Sequence, residues 1–284
     1  MVNQENFISN VNIVDEDKWL ILKETIKKEL NFQVNNYRDN YLKRRVECRL
    51  RILNLNSYID YVNLLVTDEA EKKKLNKELT IHVTHFFRDK SLYQEIQDWI
   101  IPQIIKEKQE KNLYKIRIWS AGCSVGAEPY SIAIILREVL GNSINKFEIK
   151  IDASDVDQET ISKAILGIYD LQYFTETSPL IQSKYFQKIN DDLYSVLPIV
   201  KSMVNFKIQD IFDESSIMKY DLIFCRNTVI YFDKQAKVDL YESIYSKLNK
   251  GGFLVLGKSE FLDNTARTKF IVYNNNERIY RKPF

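Results

Sequence analysis

Two glycines stand between a predicted strand and a predicted helix, where they can bring the backbone close to a ligand. Ile116, Ile118 and Trp119 belong to a run of bulky and β-branched residues that predicts a strand. Gly122 and Gly126 follow within a few residues and permit a tight turn without Cβ clashes. A turn of this kind, after the first strand of a doubly wound α/β sheet, is where nucleotides bind. The stretch therefore predicts a nucleotide-like ligand, with an ordinary strand-to-helix turn as the alternative.

The spacing of the glycines narrows the class of ligand site. Only Gly122 and Gly126 are glycine, so the pattern is not Gly-x-Gly-x-x-Gly, and no Gly-Lys-Ser/Thr follows as in a phosphate loop. Pro129 suits the first turn of a helix, which the apolar spacing predicts over residues 128–140. Neither of the two common phosphate-binding signatures therefore describes this turn.

Polar residues also follow two further predicted strands. Asp155 ends the second strand about 30 residues after the turn, as a βαβ unit requires. We predict that Asp155 binds a ribose hydroxyl and that Asp157 caps the helix of residues 158–166. Arg226 and Asn227 directly follow a buried strand, at the edge where α/β proteins bind their ligands.

These residues require an α/β domain to position them, and we predict one over residues 81–284. Residues 168–203 do not have the pattern of a crossover helix, and they predict a small antiparallel β insertion. That insertion is either a platform for a partner or stabilising structure. Residues 270–280 predict a terminal hairpin that closes the doubly wound sheet antiparallel.

The first 80 residues predict a separate all-α domain. Apolar residues recur at helical spacing from residue 16 to about residue 78, and glycine is absent from this stretch. The second helix is basic, and part of it can form one face. A solvated face is one interpretation, and a docking surface for an acidic partner is the other. The predicted docking residues are Arg38, Arg44, Arg45 and Arg49.

The composition excludes several classes of protein. A chain of 284 residues with 45% hydrophobic and 28% charged residues is typical of a soluble globular protein. The net charge of +2 gives no general attraction to nucleic acid, and no apolar run reaches the roughly 20 residues that span a bilayer. The polar N-terminus and the three scattered cysteines predict a cytoplasmic protein with reduced thiols. His82 and His85 lack a carboxylate at ligand spacing, so we predict no metal site.

Several separate motifs, in order along nearly the whole chain, together resemble one enzyme family. Strand, glycine turn, acidic second strand and terminal hairpin resemble a class I S-adenosylmethionine methyltransferase. The more detailed motifs resemble the chemotaxis receptor methyltransferases of the CheR family. These motifs are Thr84-x-Phe86-Phe87-Arg88, Ala121-Gly-Cys-Ser-x-Gly126-x-Glu128-Pro-Tyr-Ser131, Ala153-Ser-Asp155 and Phe224-Cys-Arg-Asn-x-x-Ile-Tyr231-Phe.

The resemblance implies an activity, a cofactor and a partner. The family transfers a methyl group from S-adenosylmethionine to glutamate side chains in the cytoplasmic region of methyl-accepting chemoreceptors, leaving S-adenosylhomocysteine. It implies that Arg88 and Tyr231 flank the methyl group, although packing is the alternative for Tyr231 because its neighbours are apolar. The cofactor contacts that it implies are His82, Thr84, Arg88, Gly122, Glu128, Asp155, Asp210, Ile211, Arg226 and Asn227.

This chain departs from the family pattern at a few positions. His82 and Asp210 stand where asparagine is usual, and Lys258 replaces a usual histidine. Some family members hold a pentapeptide at the receptor's C-terminus through a long, glycine-containing loop of the insertion. The corresponding turn here, residues 188–192, is short and has no glycine, so we predict recognition without that tether.

The chemistry that the resemblance implies needs few catalytic groups. A glutamate, with a pKa of about 4.3, is already an ionised nucleophile at neutral pH, so no general base is required. The rival interpretation is a regulatory module that binds the cofactor and has lost transfer, but Arg88 and Tyr231 are both retained. Methylation of RNA would favour a broadly basic surface, which the charge balance does not provide.

Overall fold

The computed structural model describes residues 14–80, 83–213 and 218–284, which belong to two compact units. The helical unit comprises Met1–Ile81 together with Tyr231–Ala236. The α/β unit comprises His82–Ile230 and Lys237–Phe284. No helix in the described part of the chain combines the length and the apolar composition that a membrane-spanning helix needs.

The helical unit is built from amphipathic helices whose ends follow ordinary capping rules. Its helices are α1 (Val14–Leu30), α2 (Asp39–Leu53), α3 (Tyr58–Thr67) and α4 (Glu69–Leu79). The side chain of Ser57 accepts from the Ile59 amide at the start of α3. Asp68 caps α4 in the same way. The core that these helices bury includes Trp19, Leu22, Ile26, Leu42, Val46, Tyr61, Leu65 and Leu75.

One of the predicted docking residues lies inside this unit. Arg49 is only 8% exposed, and its Nε and Nη2 atoms donate to Glu71 at 2.9 and 2.7 Å. Tyr61 donates to the same carboxylate at 2.8 Å. The prediction that Arg49 belongs to an exposed docking surface was wrong, because α4 supplies a buried acidic partner. Arg38 and Arg44 are exposed, and Arg45 is half-buried.

The α/β unit contains a mixed sheet flanked by helices. Its strands are β1 (Lys115–Ala121), β2 (Glu148–Asp155), β3 (Ile168–Asp170), β4 (Phe186–Lys188), β5 (Leu193–Val196), β6 (Val204–Ile208), β7 (Tyr220–Cys225), β8 (Leu248–Leu256), β9 (Ile271–Asn274) and β10 (Ile279–Arg281). Its helices are α5 (Lys90–Glu95), α6 (Ile101–Glu110), α7 (Ala127–Leu140), α8 (Gln158–Leu166), α9 (Pro179–Tyr185), α10 (Pro198–Lys201), α11 (Lys234–Lys247) and α12 (Asn264–Lys269). The first residues of α11 belong to the helical unit.

The strand order confirms the predicted fold class. The seven-stranded sheet has the order β6-β2-β1-β7-β8-β10-β9. Strands β6, β2, β1, β7 and β8 pair in parallel, and β10 pairs antiparallel with both of its neighbours. The predicted insertion forms a separate antiparallel sheet of order β3-β5-β4. The predicted terminal hairpin is the β9–β10 pair.

The order of the central strands determines where a ligand can bind. From β1 the chain adds β2 and β6 on one side and β7 and β8 on the other, so the order reverses between β1 and β7. In an open α/β sheet, the crevice at the carboxyl ends of such strands is the usual ligand site. Every residue of β7 is buried, as its apolar run predicts for a central parallel strand. The polar residues after β1, β2 and β7 therefore share one edge of the sheet.

Candidate functional site

The turn after β1 is held in place by the end of β2. The carbonyl of Ser154 accepts from the amides of Gly122 and Cys123, at 2.8 and 2.9 Å. Asp155 then uses both carboxylate oxygens on backbone donors, accepting from Ser124 at 2.9 Å and from Asp157 at 3.1 Å. Asp155 therefore fixes the glycine turn, whether or not it also binds a ligand.

Glycine is required at residue 122 by both conformation and space. Its φ is +76°, in the left-handed region, and a Cβ there would lie 2.5 Å from Oγ1 of Thr228. Thr228 lies in the loop after β7, so this loop and the turn after β1 are in close contact. Because residue 122 has no side chain, its backbone is open to the crevice between β1 and β7.

Glu128, in the first turn of α7, faces two polar partners. Ser120 donates to Oε1 at 2.7 Å, and Nη1 of Arg226 lies 3.5 Å from Oε2. Burial raises the pKa of Glu128, and Arg226 and Ser120 partly oppose that effect. A buried carboxylate with an incomplete set of partners can bind a cationic group strongly.

Arg226 is the centre of this polar cluster. Its side chain is 3% exposed, and Nη2 pairs with the carboxylate of Asp89. Burial opposes its charge, but Tyr93, Glu128 and Asp89 outweigh burial and raise its pKa. Nε of Arg226, the hydroxyl of Tyr93 and Oγ of Ser124 are buried without a hydrogen-bond partner among the described residues. Buried polar atoms of this kind are usually satisfied by water or a ligand.

Glu260 holds the backbone next to Arg226. It is 3% exposed, and its oxygens accept from the amides of Gly257, Asn227 and Ile230. Asn227 itself has a φ of +58°, a left-handed conformation that asparagine tolerates better than most residues. The loop after β7 therefore has a fixed path.

The Thr-x-Phe-Phe-Arg segment is held mainly by the insertion. Phe86 is fully buried, its amide donates to the carbonyl of Tyr173 at 2.9 Å, and its ring packs against Tyr169, Phe174 and Phe186. Glu176 accepts from the Lys90 amide at 2.8 Å and lies 2.9 Å from Nε2 of His85. The insertion therefore contributes to the site by fixing the segment that carries Arg88.

Arg88 and Asp210 each make a local contact with the backbone. Nη1 of Arg88 donates to the carbonyl of Val83 at 2.7 Å. Asp210 follows β6, and its carboxylate accepts from the Phe212 amide at 3.0 Å. Burial raises the pKa of Asp210. Ile211 is buried beside it, with 6% of its surface exposed.

The structure brings five of the ten predicted cofactor residues together through hydrogen bonds or adjacent loops. These are Gly122, Glu128, Asp155, Arg226 and Asn227. Thr84 is half-buried in the motif segment, and His82 lies outside the described residues. Tyr231 belongs to the helical unit, whereas Arg88 belongs to the α/β unit.

The predicted cap is confirmed, because Asp157 accepts from the Glu159 amide at 2.9 Å.

Sequence reasoning missed three polar residues that hold this site. Asp89 precedes α5, where its side chain makes no cap hydrogen bond and pairs with Arg226 instead. Ser120 and Glu260 carried no signal beyond polar residues in or after apolar strands. No group of histidine, cysteine, aspartate and glutamate suited to a metal ion occurs in the described ranges.

Comparison with known proteins assigns the chain to a family. Residues 19–80 match the family model "CheR methyltransferase, all-alpha domain", and residues 82–279 match "CheR methyltransferase, SAM binding domain". The chain belongs to the CheR methyltransferase family. It is therefore an S-adenosylmethionine-dependent methyltransferase, as the motifs predicted.

Full-length relatives carry the same description. The chemotaxis protein methyltransferase of Borreliella burgdorferi is 29% identical over 274 residues, which cover 95% of this chain and 96% of that protein. Chemotaxis protein methyltransferase 1 of Pseudomonas aeruginosa is 33% identical over 207 residues, covering 72% of this chain and 74% of that protein. Chemotaxis protein methyltransferase 2 of Vibrio cholerae is 31% identical over 229 residues, covering 80% and 78%.

The residues present fit S-adenosylmethionine. The turn at Gly122 leaves room for a ligand to approach the backbone, and Glu128 offers a buried carboxylate for an ammonium group. Asp155 lies at the end of β2, where α/β proteins bind ribose. The unpartnered atoms of Arg226 and Ser124 are further polar groups that a ligand can satisfy.

Proposed function

We propose that this CheR family methyltransferase esterifies glutamate side chains in the cytoplasmic region of methyl-accepting chemoreceptors. The observation that carries the proposal is the cluster of Glu128, Arg226 and Asp89 beside the Gly122 turn, in a chain whose relatives are named chemotaxis protein methyltransferases. We propose the cytoplasm as its location and expect no nucleic-acid substrate, because the chain has a net charge of only +2.

We assign the cofactor contacts as follows. Asp155 accepts from the ribose hydroxyls, and Glu128 accepts from the amino group of the methionine part. Both assignments are supported by carboxylates at the carboxyl edge of the sheet, where Asp155 is buried and the Glu128 side chain is 12% exposed. The remaining contacts that we propose are His82, Thr84, Arg88, Gly122, Asp210, Ile211, Arg226 and Asn227.

The reaction needs alignment more than proton transfer. S-adenosylmethionine supplies a methyl group on a positively charged sulfur. A carboxylate oxygen of the substrate glutamate forms the new bond to the methyl carbon while the carbon–sulfur bond breaks and its electron pair stays on sulfur. Orientation of this kind can contribute about 7–11 kcal/mol. Charge is neutralised as the bond forms, so a site that excludes water favours the transition state.

We propose that Arg88 and Tyr231 flank the reacting groups. Arg88 aligns the substrate carboxylate or the cofactor, and it raises the rate only if it binds the transition state more tightly than the ground state. Its charge lowers the pKa of Glu128, which supports a place near the methionine end of the cofactor. No residue is assigned as a general base, because the nucleophile is already ionised.

We propose that residues 1–80 form the receptor-docking domain and residues 81–284 the catalytic domain. The exposed Arg38 and Arg44 and the half-buried Arg45 support a docking surface for an acidic receptor helix. We propose recognition without a pentapeptide tether, since the β4–β5 turn is closed on itself by Asn190, which accepts from the Asp192 and Leu193 amides. Micromolar binding of a receptor C-terminal peptide would contradict this.

The proposed function is tested by methyl transfer to receptor-containing membranes. The purified protein is incubated with methyl-labelled S-adenosylmethionine and membranes carrying chemoreceptors from the same source, and the receptor band is then treated with alkali. A carboxyl methyl ester releases its label as methanol, so we expect base-labile label on that band. Cofactor binding without any label would instead indicate a regulatory module.

A further inference from the structure

The chain segment that carries Tyr231 is part of the helical unit and is held there by its backbone. The Arg38 amide donates to the carbonyl of Tyr231 at 3.1 Å, and the Asp233 amide donates to the carbonyl of Asn36 at 3.0 Å. Between these bonds, Tyr37 and Phe232 form an antiparallel bridge. The backbone on both sides of Tyr231 is therefore fixed by the residues that precede α2.

A second tyrosine, on α2, fixes the ring of Tyr231. The rings of Tyr41 and Tyr231 lie 4.7 Å apart between centroids, tilted by 35°. Aromatic pairs at this separation attract each other through dispersion and ring electrostatics. Arg45 lies 5.6 Å from the Tyr41 ring centroid, which adds a cation–π contact on the same side chain.

Tyr41 is itself held rigidly. Its hydroxyl donates to the carbonyl of Leu79 at 2.7 Å, at the end of α4. Burial raises the pKa of Tyr41 to about 12, so this hydroxyl stays protonated and remains a donor at neutral pH. Tyr41 therefore connects α4 to the ring of Tyr231 through a hydrogen bond at one end and a ring contact at the other.

We propose that Tyr41 is a positioning residue for methyl transfer, acting through the ring of Tyr231. The proposal rests on the catalytic role proposed for Tyr231. A tyrosine side chain has two main torsions, and an adjacent ring restricts both of them. Displacement of a reacting or aligning group by 1 Å can lower a rate by about 100-fold. Helix α2, which carries Arg44 and Arg45 for receptor docking and directly follows Arg38, therefore also sets the geometry of Tyr231.

The test separates turnover from cofactor binding in variants of the 284-residue chain. Tyr41→Leu removes the ring, Tyr41→Phe keeps it, and Tyr58→Leu is the matched control. Tyr58 is also half-buried in the helical unit, and its ring packs on Trp19. With receptor membranes and labelled S-adenosylmethionine, we expect Tyr41→Leu to lower kcat by about tenfold or more with an unchanged KM for the cofactor. Tyr58→Leu should keep kcat within about twofold. Tyr41→Phe keeps the ring contact but loses the hydrogen bond to Leu79, so it should retain more of the wild-type kcat than Tyr41→Leu does.

A double-variant cycle distinguishes failure of this inference from failure of the proposed catalytic role. If Tyr41 acts through Tyr231, Tyr41→Leu lowers kcat no further once Tyr231→Phe is present. Full turnover by Tyr231→Phe alone overturns the role proposed for Tyr231. Loss of turnover in Tyr231→Phe together with normal turnover in Tyr41→Leu overturns only the positioning role. Equal losses in Tyr41→Leu and Tyr58→Leu also overturn it, because they indicate a general effect on the helical unit.

Discussion

Glu260 accepts a hydrogen bond from the backbone amide of Asn227 at 2.8 Å. The same oxygen accepts from the Gly257 amide at 2.7 Å, and the other oxygen accepts from the Ile230 amide at 3.2 Å. One buried carboxylate therefore joins the end of β8 to the loop that carries Arg226 and Asn227. The loop has a fixed path before any ligand binds.

Replacing Glu260 with glutamine should destabilise the α/β unit. An amide has only one acceptor oxygen, so Glu260→Gln leaves at least one buried N–H group without an acceptor. The expected loss in the free energy of unfolding is about 1–3 kcal/mol, measured by urea unfolding. Glu242→Gln is the control, because Glu242 forms an exposed ion pair with Lys269 that should contribute less than about 1 kcal/mol. Equal effects of the two changes would refute the role of Glu260.

A methyl group at residue 122 should weaken cofactor binding. Gly122→Ala places Cβ against Thr228 and also strains a left-handed backbone. Gly141→Ala is a matched control, because Gly141 has a φ of +50° but nothing within 4 Å of an added Cβ. The positive φ alone should cost each variant about 1–2 kcal/mol of stability, and Gly122→Ala should cost more because of its contact with Thr228. Only Gly122→Ala should weaken S-adenosylmethionine binding by about tenfold or more. Calorimetry gives the affinity.

A second substitution, at Thr228, tests whether the contact with the new Cβ causes the loss of cofactor affinity. Adding Thr228→Ala to Gly122→Ala removes the atom nearest to the new Cβ and should recover part of the lost affinity. If Gly122→Ala binds the cofactor as tightly as Gly141→Ala does, the close contact between the two loops has no role in binding.

Removing the hydroxyl of Ser120 should shift the pH dependence of cofactor binding. Burial already raises the pKa of Glu128, and the hydrogen bond from Ser120 opposes that rise. Binding of an ammonium group requires ionised Glu128, so affinity falls as the pH falls through this pKa. Ser120→Ala raises the pKa further and moves the loss of affinity to higher pH. Ser162→Ala is the control, because Ser162 is exposed on α8, and it should leave the dependence of cofactor affinity on pH unchanged. If Ser120→Ala does not shift that dependence either, Glu128 does not bind the ammonium group.

Arg88→Ala should reduce turnover far more than cofactor binding. Loss of one well-placed cationic donor commonly lowers a rate by roughly 100-fold. Lys90→Ala is the control, since Lys90 is exposed and is held through its backbone amide by Glu176. Initial rates of methyl transfer at saturating cofactor provide the measurement. Normal turnover by Arg88→Ala would eliminate its proposed role.

The buried pair in the helical unit should make its stability sensitive to acid. Burial opposes ionisation of Glu71, but hydrogen bonds from Arg49 and Tyr61 outweigh burial and lower its pKa. The stabilisation is therefore fully present above the unfolded-state pKa, about 4.3, and is lost as the pH falls through the lower folded-state pKa. Glu71→Gln should flatten this acid dependence in urea unfolding at a series of pH values. Glu69→Gln, which removes an exposed carboxylate from the same helix, should retain it.

The sequence predicted the elements of this fold well because their signals are local. Apolar runs defined β1 and β7, and helical spacing defined α7. Asp157 was recognised as a cap because capping depends on residues only two or three positions away. The fold class followed from the order of these elements, which the strand order then confirmed.

The ion pairs that hold the site were not predictable in the same way. Asp89 and Arg226 are 137 positions apart, so their contact depends on how the segment before α5 packs on the sheet. Glu260 follows β8 and shows no local reason to bind the loop after β7. Arg49 was assigned to the surface because its own helix is basic, whereas its partner Glu71 lies on another helix. Sequence periodicity identifies faces of one element but not which element covers them.

Peptide mass spectrometry of methylated receptors tests the central claim most directly. Receptor membranes are incubated with the protein and S-adenosylmethionine, digested, and searched for peptides that carry one added methyl group. We predict methyl groups on glutamate side chains of the receptor's cytoplasmic region, strongly reduced in amount when Arg88→Ala replaces the wild-type protein. Methyl groups confined to lysine side chains or to chain termini of these peptides would contradict the proposed function.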